Sequence, residues 1–173
     1  MLAANERALR ILGLKKAFPA EALSLMRALV EECDENGFRV ALHESPQAYD
    51  CVTCRDRKYP ASSICRSCRT VWLSPQPLSG SGSASAEEII VSLAHEMGHV
   101  FDPPASDETT PDTDAWDDRE TEREAFAWRW ACARLSNSGA WAELMETLTR
   151  AQRDRELAYD RCHQANRTRR RGT

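Results

Sequence analysis

The segment His95-Glu96-Met97-Gly98-His99 constrains this chain more than any other part of its 173 residues. Residues four apart lie on one face of an α-helix, so a helix directs both imidazole rings to one point. Two such nitrogens suit a zinc ion, and a glutamate beside the first histidine can accept a proton from water that the ion activates. The pattern therefore predicts a helix that carries His95 and His99 as zinc ligands and Glu96 as general base.

The flanking residues predict where this helix begins and ends. Ser85 precedes an apolar run and Glu88 follows three residues later, which is the pattern of a capping box. Two prolines after Asp102 end the helix. We therefore expect a helix over about residues 86–101. The alternative interpretation is a pair of histidines on a solvated helix face that binds no metal.

A catalytic zinc ion takes three protein ligands and leaves a position for water. The metzincin extension requires glycine and histidine where this chain has Asp102 and Ala105, which excludes that class. His163 is the one histidine that follows, far along the chain, so a downstream glutamate is the better candidate. The next predicted helix, over about residues 118–135, supplies three: Glu120, Glu122 and Glu124.

The two segments together resemble the ImmA/IrrE-type zinc metallopeptidases, small gluzincins of phages, mobile elements and bacteria. The resemblance covers about residues 86–130 and depends on the HExxH motif and on the run from Glu120 to Ala127. Arg123 stands where the family has alanine, and Glu124 stands where it has asparagine or, in some relatives, aspartate.

Carried over to this chain, the resemblance implies that Glu120 is the third zinc ligand. Glu124 lies one helical turn later on the same face and is expected to accept a hydrogen bond from the free ring nitrogen of His95. Glu122 points about 160° away and is expected to be solvated or in a salt bridge. The register stays open among Glu120, Glu122 and Glu124, because Glu124, with Trp128 on the same face, can itself take the ligand position.

The resemblance also implies a function, that of a zinc-dependent endopeptidase. The substrate would be a protein, often a helix-turn-helix transcriptional repressor encoded nearby. One alternative is a regulatory module that contains the metal but acts by docking on protein or nucleic acid. A DNA-linked protease of the SprT type also combines HExxH with a zinc ribbon, but that family uses a third histidine and places its ribbon after the motif.

A second candidate metal site precedes the helix. Four of the seven cysteines form the pattern Cys51-x2-Cys54-x10-Cys65-x2-Cys68. Two CxxC pairs at this spacing predict a closed tetrahedral site, so we expect a structural zinc ion in a ribbon insert over residues 49–71. The alternative is four unbound thiols or a redox pair.

Two smaller expectations accompany the cysteines. Five basic residues surround the pairs, and we expect them to stay solvated rather than to contact phosphate; they are Arg55, Arg57, Lys58, Arg66 and Arg69. The remaining cysteines are expected to be buried thiols in helices; they are Cys33, Cys132 and Cys162.

Periodicity and turn residues predict an α+β fold: a small sheet with helices, a zinc-bearing HExxH helix, a following ligand helix and a zinc-ribbon insert. The helices are expected over residues 5–17, 20–36 and 140–165, besides the two described above, and the strands over 38–42 and 70–73. The strand at 70–73 is a candidate edge for pairing with an extended substrate. We expect a single domain over residues 1–165 and a disordered basic tail over 166–173.

Composition excludes some classes of partner. The chain has 27 acidic and 23 basic residues and a formal net charge of −4. Electrostatic attraction of the whole molecule to nucleic acid is therefore excluded as the basis of its function. No apolar run approaches the roughly 20 residues of a membrane span. The first residues lack the apolar stretch of a signal peptide, so a cytoplasmic location is expected. Residues 102–118 are rich in acidic residues and proline and are expected to form a loop.

Overall fold

The computed structural model describes residues 4–12, 18–42, 62–76, 78, 83–102 and 114–171. Over these residues the fold is α+β, with five helices and a three-stranded sheet, as the sequence predicts. The helices are α1 (Ala4–Leu12), α2 (Ala20–Glu35), α3 (Ala86–Phe101), α4 (Asp114–Ser136) and α5 (Ala142–Arg171). The strands are β1 (Arg39–Leu42), β2 (Ser63–Cys65) and β3 (Thr70–Leu73).

Helices α1 and α2 pack against each other and cover one side of the core. Pro19 is the N-cap of α2, as its fixed φ and missing N–H favour. Gly37 follows the end of α2 with a φ of +73°, a conformation that glycine adopts without steric cost. Residues 13–17, part of the first predicted helix, lie outside the described residues.

The sheet has the strand order β1-β3-β2. Strand β1 runs parallel to β3, with Arg39 opposite Thr70, whereas β2 is antiparallel to β3, with Ser63 opposite Trp72. The prediction that β3 offers an edge to a substrate is therefore wrong, because hydrogen-bonded neighbours occupy both of its sides. The outer strands of the described sheet are β1 and β2, and β2 is too short for its alternation to be read from sequence.

Helix α3 is the central element and packs against α2, α4, α5 and the sheet. The predicted capping box is confirmed: the Ser85 N–H donates to Glu88 Oε2 at 2.9 Å, and the Glu88 N–H donates to Ser85 Oγ at 3.2 Å. The helix is buried along almost its whole length, which is why its apolar residues do not form a narrow stripe. The histidine pair therefore lies inside the protein rather than on a solvated face.

Helices α4 and α5 pack against each other, and both pack against α3. Helix α4 begins at Asp114, inside the segment predicted as an acidic loop, of which residues 103–113 lie outside the described part of the chain. Helix α5 continues to Arg171, through most of the segment predicted to be disordered. Near that end, Arg167 forms an ion pair with Asp118 of α4, which holds the basic end of α5 against α4. Along the described residues no helix combines the length and the apolar character of a membrane span.

Candidate metal centre

Three side chains from α3 and α4 converge in the interior. His95 Nε2 lies 3.3 Å from Glu124 Oε2, and His99 Nε2 lies 3.2 Å from Glu124 Oε1. One ligand atom from each of the three residues lies within 4.8 Å of the other two. Each histidine is only 7% exposed, so the group is screened from bulk water. Within the described part of the chain, these three residues are the group of side chains that could hold a metal ion.

The donor set fits zinc. Two imidazole nitrogens and one carboxylate form a ligand set typical of catalytic zinc sites, which keep one further position open. The histidine–glutamate separations are close to the roughly 3.4 Å edge of a tetrahedron with metal–ligand distances of about 2.1 Å. The widest separation, at 4.8 Å, exceeds that edge, so an entering ion would draw the side chains inward.

The glutamate in this group is Glu124, whereas the resemblance assigned the ligand position to Glu120. Glu120 instead accepts a hydrogen bond from Arg123 Nη1 at 2.8 Å, and the Nε of the same arginine donates to buried Asp102 at 2.6 Å. Arg123 is the residue that departs from the alanine of the resembled family, and it engages the carboxylate that the family pattern assigns to the metal. The geometry therefore supports the other register considered for the sequence, with Glu124 as ligand.

A close approach of two backbones brings Glu124 to the histidines. A Cβ atom added to Gly98 would lie 2.5 Å from Ala127 Cα and 2.6 Å from Ala127 O, far inside van der Waals contact. Only glycine at this position lets α3 and α4 pack so tightly. Glu124 lies less than one helical turn before Ala127, so its carboxylate comes within reach of both rings.

The rings themselves are held by packing. Trp128 is 2% exposed, and its ring lies 4.2 Å from that of His95, measured between centroids. The His95 and His99 rings meet edge to face at 4.8 Å. The expected contact between His95 and Glu124 is present, and it is made by Nε2 of the ring. Among the described residues no group pairs with Nδ1 of His95 or His99.

Burial and mutual contact shift the acid–base properties of the group. Burial alone would raise the pKa of Glu124, but the hydrogen bonds from His95 and His99 and their charges outweigh it and hold that pKa well below its usual range. The pKa of His99 is raised, because its contact with Glu124 and the charge of Glu96 outweigh its burial. Without a metal ion, Glu124 thus favours the anionic state in which carboxylates bind metals.

Glu96 lies beside the histidines and is 7% exposed. Burial is the main cause that raises its pKa, and the nearby Glu124 raises it further. The charges of His95, His99 and Arg155 act in the opposite direction without cancelling the burial. A buried carboxyl with a raised pKa is suited to hold a proton transiently near neutral pH.

A cavity of about 240 Å³ lies between α4 and α5, next to the histidine–glutamate group. Its walls include Glu124 and Trp128 from α4 and the half-buried Arg155 from α5. Sequence analysis did not single out Arg155, because no motif surrounds it and α5 is far from the HExxH motif in sequence. The other lining residues are Thr121, Ala125, Glu156 and Asp160.

The structure describes half of the cysteine pattern. Cys65 is buried at the end of β2, and Cys68 is half-buried in the following turn, where its Sγ donates to Thr70 Oγ1 at 3.3 Å. Cys51 and Cys54 lie outside the described residues, so the structural zinc site and the ribbon over residues 49–71 stay predictions.

The three remaining cysteines all lie in helices but differ in burial. Cys33 is buried and Cys132 is half-buried. Cys162 is exposed, so the prediction of a buried thiol is wrong for that residue. It lies on the solvent side of α5, beyond the part of that helix that contributes to the core.

Comparison of the chain with models of known protein families, with curated proteins and with solved structures finds no match. The resemblance to the ImmA/IrrE-type metallopeptidases therefore depends on the quoted motif residues alone.

Proposed function

We propose that this protein is a zinc-dependent endopeptidase that acts on a protein substrate. One observation carries the proposal: His95, His99 and Glu124 converge on one point beside the buried carboxyl of Glu96. Metal ligands alone suit a structural site as well as a catalytic one. An adjacent carboxyl that is not a ligand, together with a cavity that Glu124 lines, favours catalysis.

The three converging side chains would hold the ion, which when bound supplies Lewis-acid polarisation of a carbonyl and acidifies water. Glu96 accepts the proton of the attacking water and passes it to the leaving amine. Its raised pKa suits both halves of that transfer, because the carboxyl must take and release a proton within one turnover. Trp128 packs on His95 and excludes solvent from that side of the site.

Arg155 of α5 lies near Glu124 and Glu96. It lines the cavity together with Glu124, and its charge acts on Glu96. A fixed cation at such a position stabilises negative charge that develops on the scissile carbonyl oxygen. We assign this role to Arg155.

A protein substrate would enter as an extended segment beside α3. Strand β2 packs against α3 and is an outer strand of the described sheet, so it is a better candidate for main-chain pairing than β3. A helix-turn-helix repressor stays our proposed substrate on the strength of the motif resemblance.

The decisive experiment compares wild type with Glu96→Gln. Both purified proteins, loaded with zinc, are incubated with the proteins encoded beside this gene and with an unfolded generic protein, and fragment masses are measured. We expect equal zinc content and unchanged folding, but a cleavage rate at least about 100-fold lower for Glu96→Gln, because the general base is lost.

The opposite result supports a regulatory docking module. If wild type cleaves none of these proteins while Glu96→Gln fully complements a deletion strain, the peptidase proposal fails. Equal cleavage by both proteins would exclude Glu96 as the base and would point to a contaminating protease.

A further inference from the structure

The turn between Cys65 and Cys68 lies against the carboxyl end of α3. Its residue Arg66 donates from Nη2 to the backbone carbonyl oxygen of His99 at 2.6 Å. Arg66 is exposed, as expected, and it also joins the β2–β3 turn to the helix that carries both candidate histidine ligands. This contact links the otherwise unassigned cysteine segment to the metal centre.

The carbonyl of His99 needs such a donor. In a continuing helix it would accept from the N–H of residue 103, but residue 103 is a proline and has no N–H. The last carbonyls of a helix lack partners within the helix, and the negative end of its dipole favours a cation. Arg66 supplies both the donor and the charge at the residue whose side chain is a candidate ligand.

The turn that carries Arg66 is itself well anchored. The Arg39 N–H donates to the Arg69 carbonyl at 2.9 Å, and Arg39 Nε donates to Thr70 Oγ1 at 2.8 Å. Arg66 therefore reaches His99 from a support that is fixed to the sheet.

We infer that Arg66 is a positioning residue for the metal centre: it fixes the backbone at His99 and so sets the place of the His99 imidazole relative to Glu124. The inference rests on the proposed metal site and does not require peptidase activity. It gives the Cys65–Cys68 turn a function that is independent of whether the cysteines bind zinc.

The test measures metal affinity of the full-length protein. The variants are Arg66→Ala, Arg66→Lys and the matched control Arg69→Ala, which removes the same charge from the same turn but contacts α2 and β1 rather than α3. Zn²⁺ affinity is measured by chelator competition. Co²⁺ absorption distinguishes the nitrogen–oxygen site from thiolate ligands, and the melting temperature of each metal-free protein is recorded.

We expect Arg66→Ala to weaken binding at the nitrogen–oxygen site about 10–100-fold and to change its Co²⁺ spectrum, as loss of a supporting partner typically does. Arg66→Lys, which keeps the charge and a donor, should recover most of that affinity, and Arg69→Ala should stay within about twofold of wild type. Should Arg66→Ala fail to fold, Arg66→Met, which keeps the apolar stem but has no donor and no charge, takes its place in both comparisons.

Equal metal affinity for Arg66→Ala and Arg69→Ala overturns the inference, as does Arg66→Lys that binds no better than Arg66→Ala. A wild type that binds no metal at the nitrogen–oxygen site overturns both this inference and the proposed function. A wild type that binds metal but cleaves nothing removes the peptidase proposal alone.

Discussion

Replacing Gly98 with alanine tests whether the close approach of α3 and α4 builds the metal centre. The new Cβ would lie 2.5 Å from Ala127 Cα, so the backbones must separate by about 0.9 Å to reach ordinary contact. Functional groups need to be held within about 0.5 Å of their productive geometry. A shift of this size therefore moves Glu124 outside the range in which it can share an ion with both histidines.

Stability alone is a poor readout of this substitution. Overpacking against a backbone costs about 1–3 kcal/mol, whereas Gly→Ala within a helix contributes about 1 kcal/mol in the opposite direction. The net destabilisation is thus about 0–2 kcal/mol. Metal affinity is more sensitive, because the displaced groups are the ligands themselves, and we expect Gly98→Ala to bind zinc at least about 100-fold more weakly.

The assay is chelator competition on Gly98→Ala and on the control Gly139→Ala. Gly139 has a φ of +69° and an open surrounding, so its substitution costs backbone strain of about 1 kcal/mol without touching the α3–α4 contact. A second change, Ala127→Gly, should not rescue Gly98→Ala, because the clash is with the Ala127 backbone. Wild-type zinc affinity in Gly98→Ala would refute this account of the packing.

The described contacts support three other predictions. In a zinc competition assay, Glu124→Ala should abolish or severely weaken zinc binding, whereas Glu120→Ala should have a milder effect, through Arg123. The reverse order would support the register that the motif resemblance implies, with Glu120 as the ligand. Cys33, whose pKa is raised to about 12 chiefly by burial, should resist alkylation at pH 8 in the native protein while exposed Cys162 reacts, and labelling of Cys33 without denaturant would contradict its burial. In the unfolded chain the Cys33 thiol has a pKa near 9.0, so burial of the neutral thiol contributes its full stability below pH 9. Between pH 9 and 12 the free energy of unfolding should fall by about 1.4 kcal/mol per pH unit. Denaturant titrations of Cys33→Ala should lack this slope.

Local rules were sufficient for much of the fold. The capping box at Ser85 and Glu88, the break at Pro19 and the strands β1 and β3 depend on residues a few positions apart, and the structure contains all of them. The strand order was not available from those rules. The strand at 70–73 was predicted as an edge, but β2 pairs with it through residues that carry no strand periodicity of their own.

For the candidate site, the sequence alone determined that His95 and His99 share a helix face with Glu96 close by, because helical periodicity fixes side-chain directions along one element. Only the tertiary structure decided which glutamate joins them. Glu120 and Glu124 share a face of α4, so periodicity cannot separate them. The choice depends on how near α4 comes to α3 at Gly98 and on Arg123, which engages Glu120 of the same helix and Asp102, the C-cap of α3. Distances between separate elements arise from packing, and a pattern along one chain segment does not encode them.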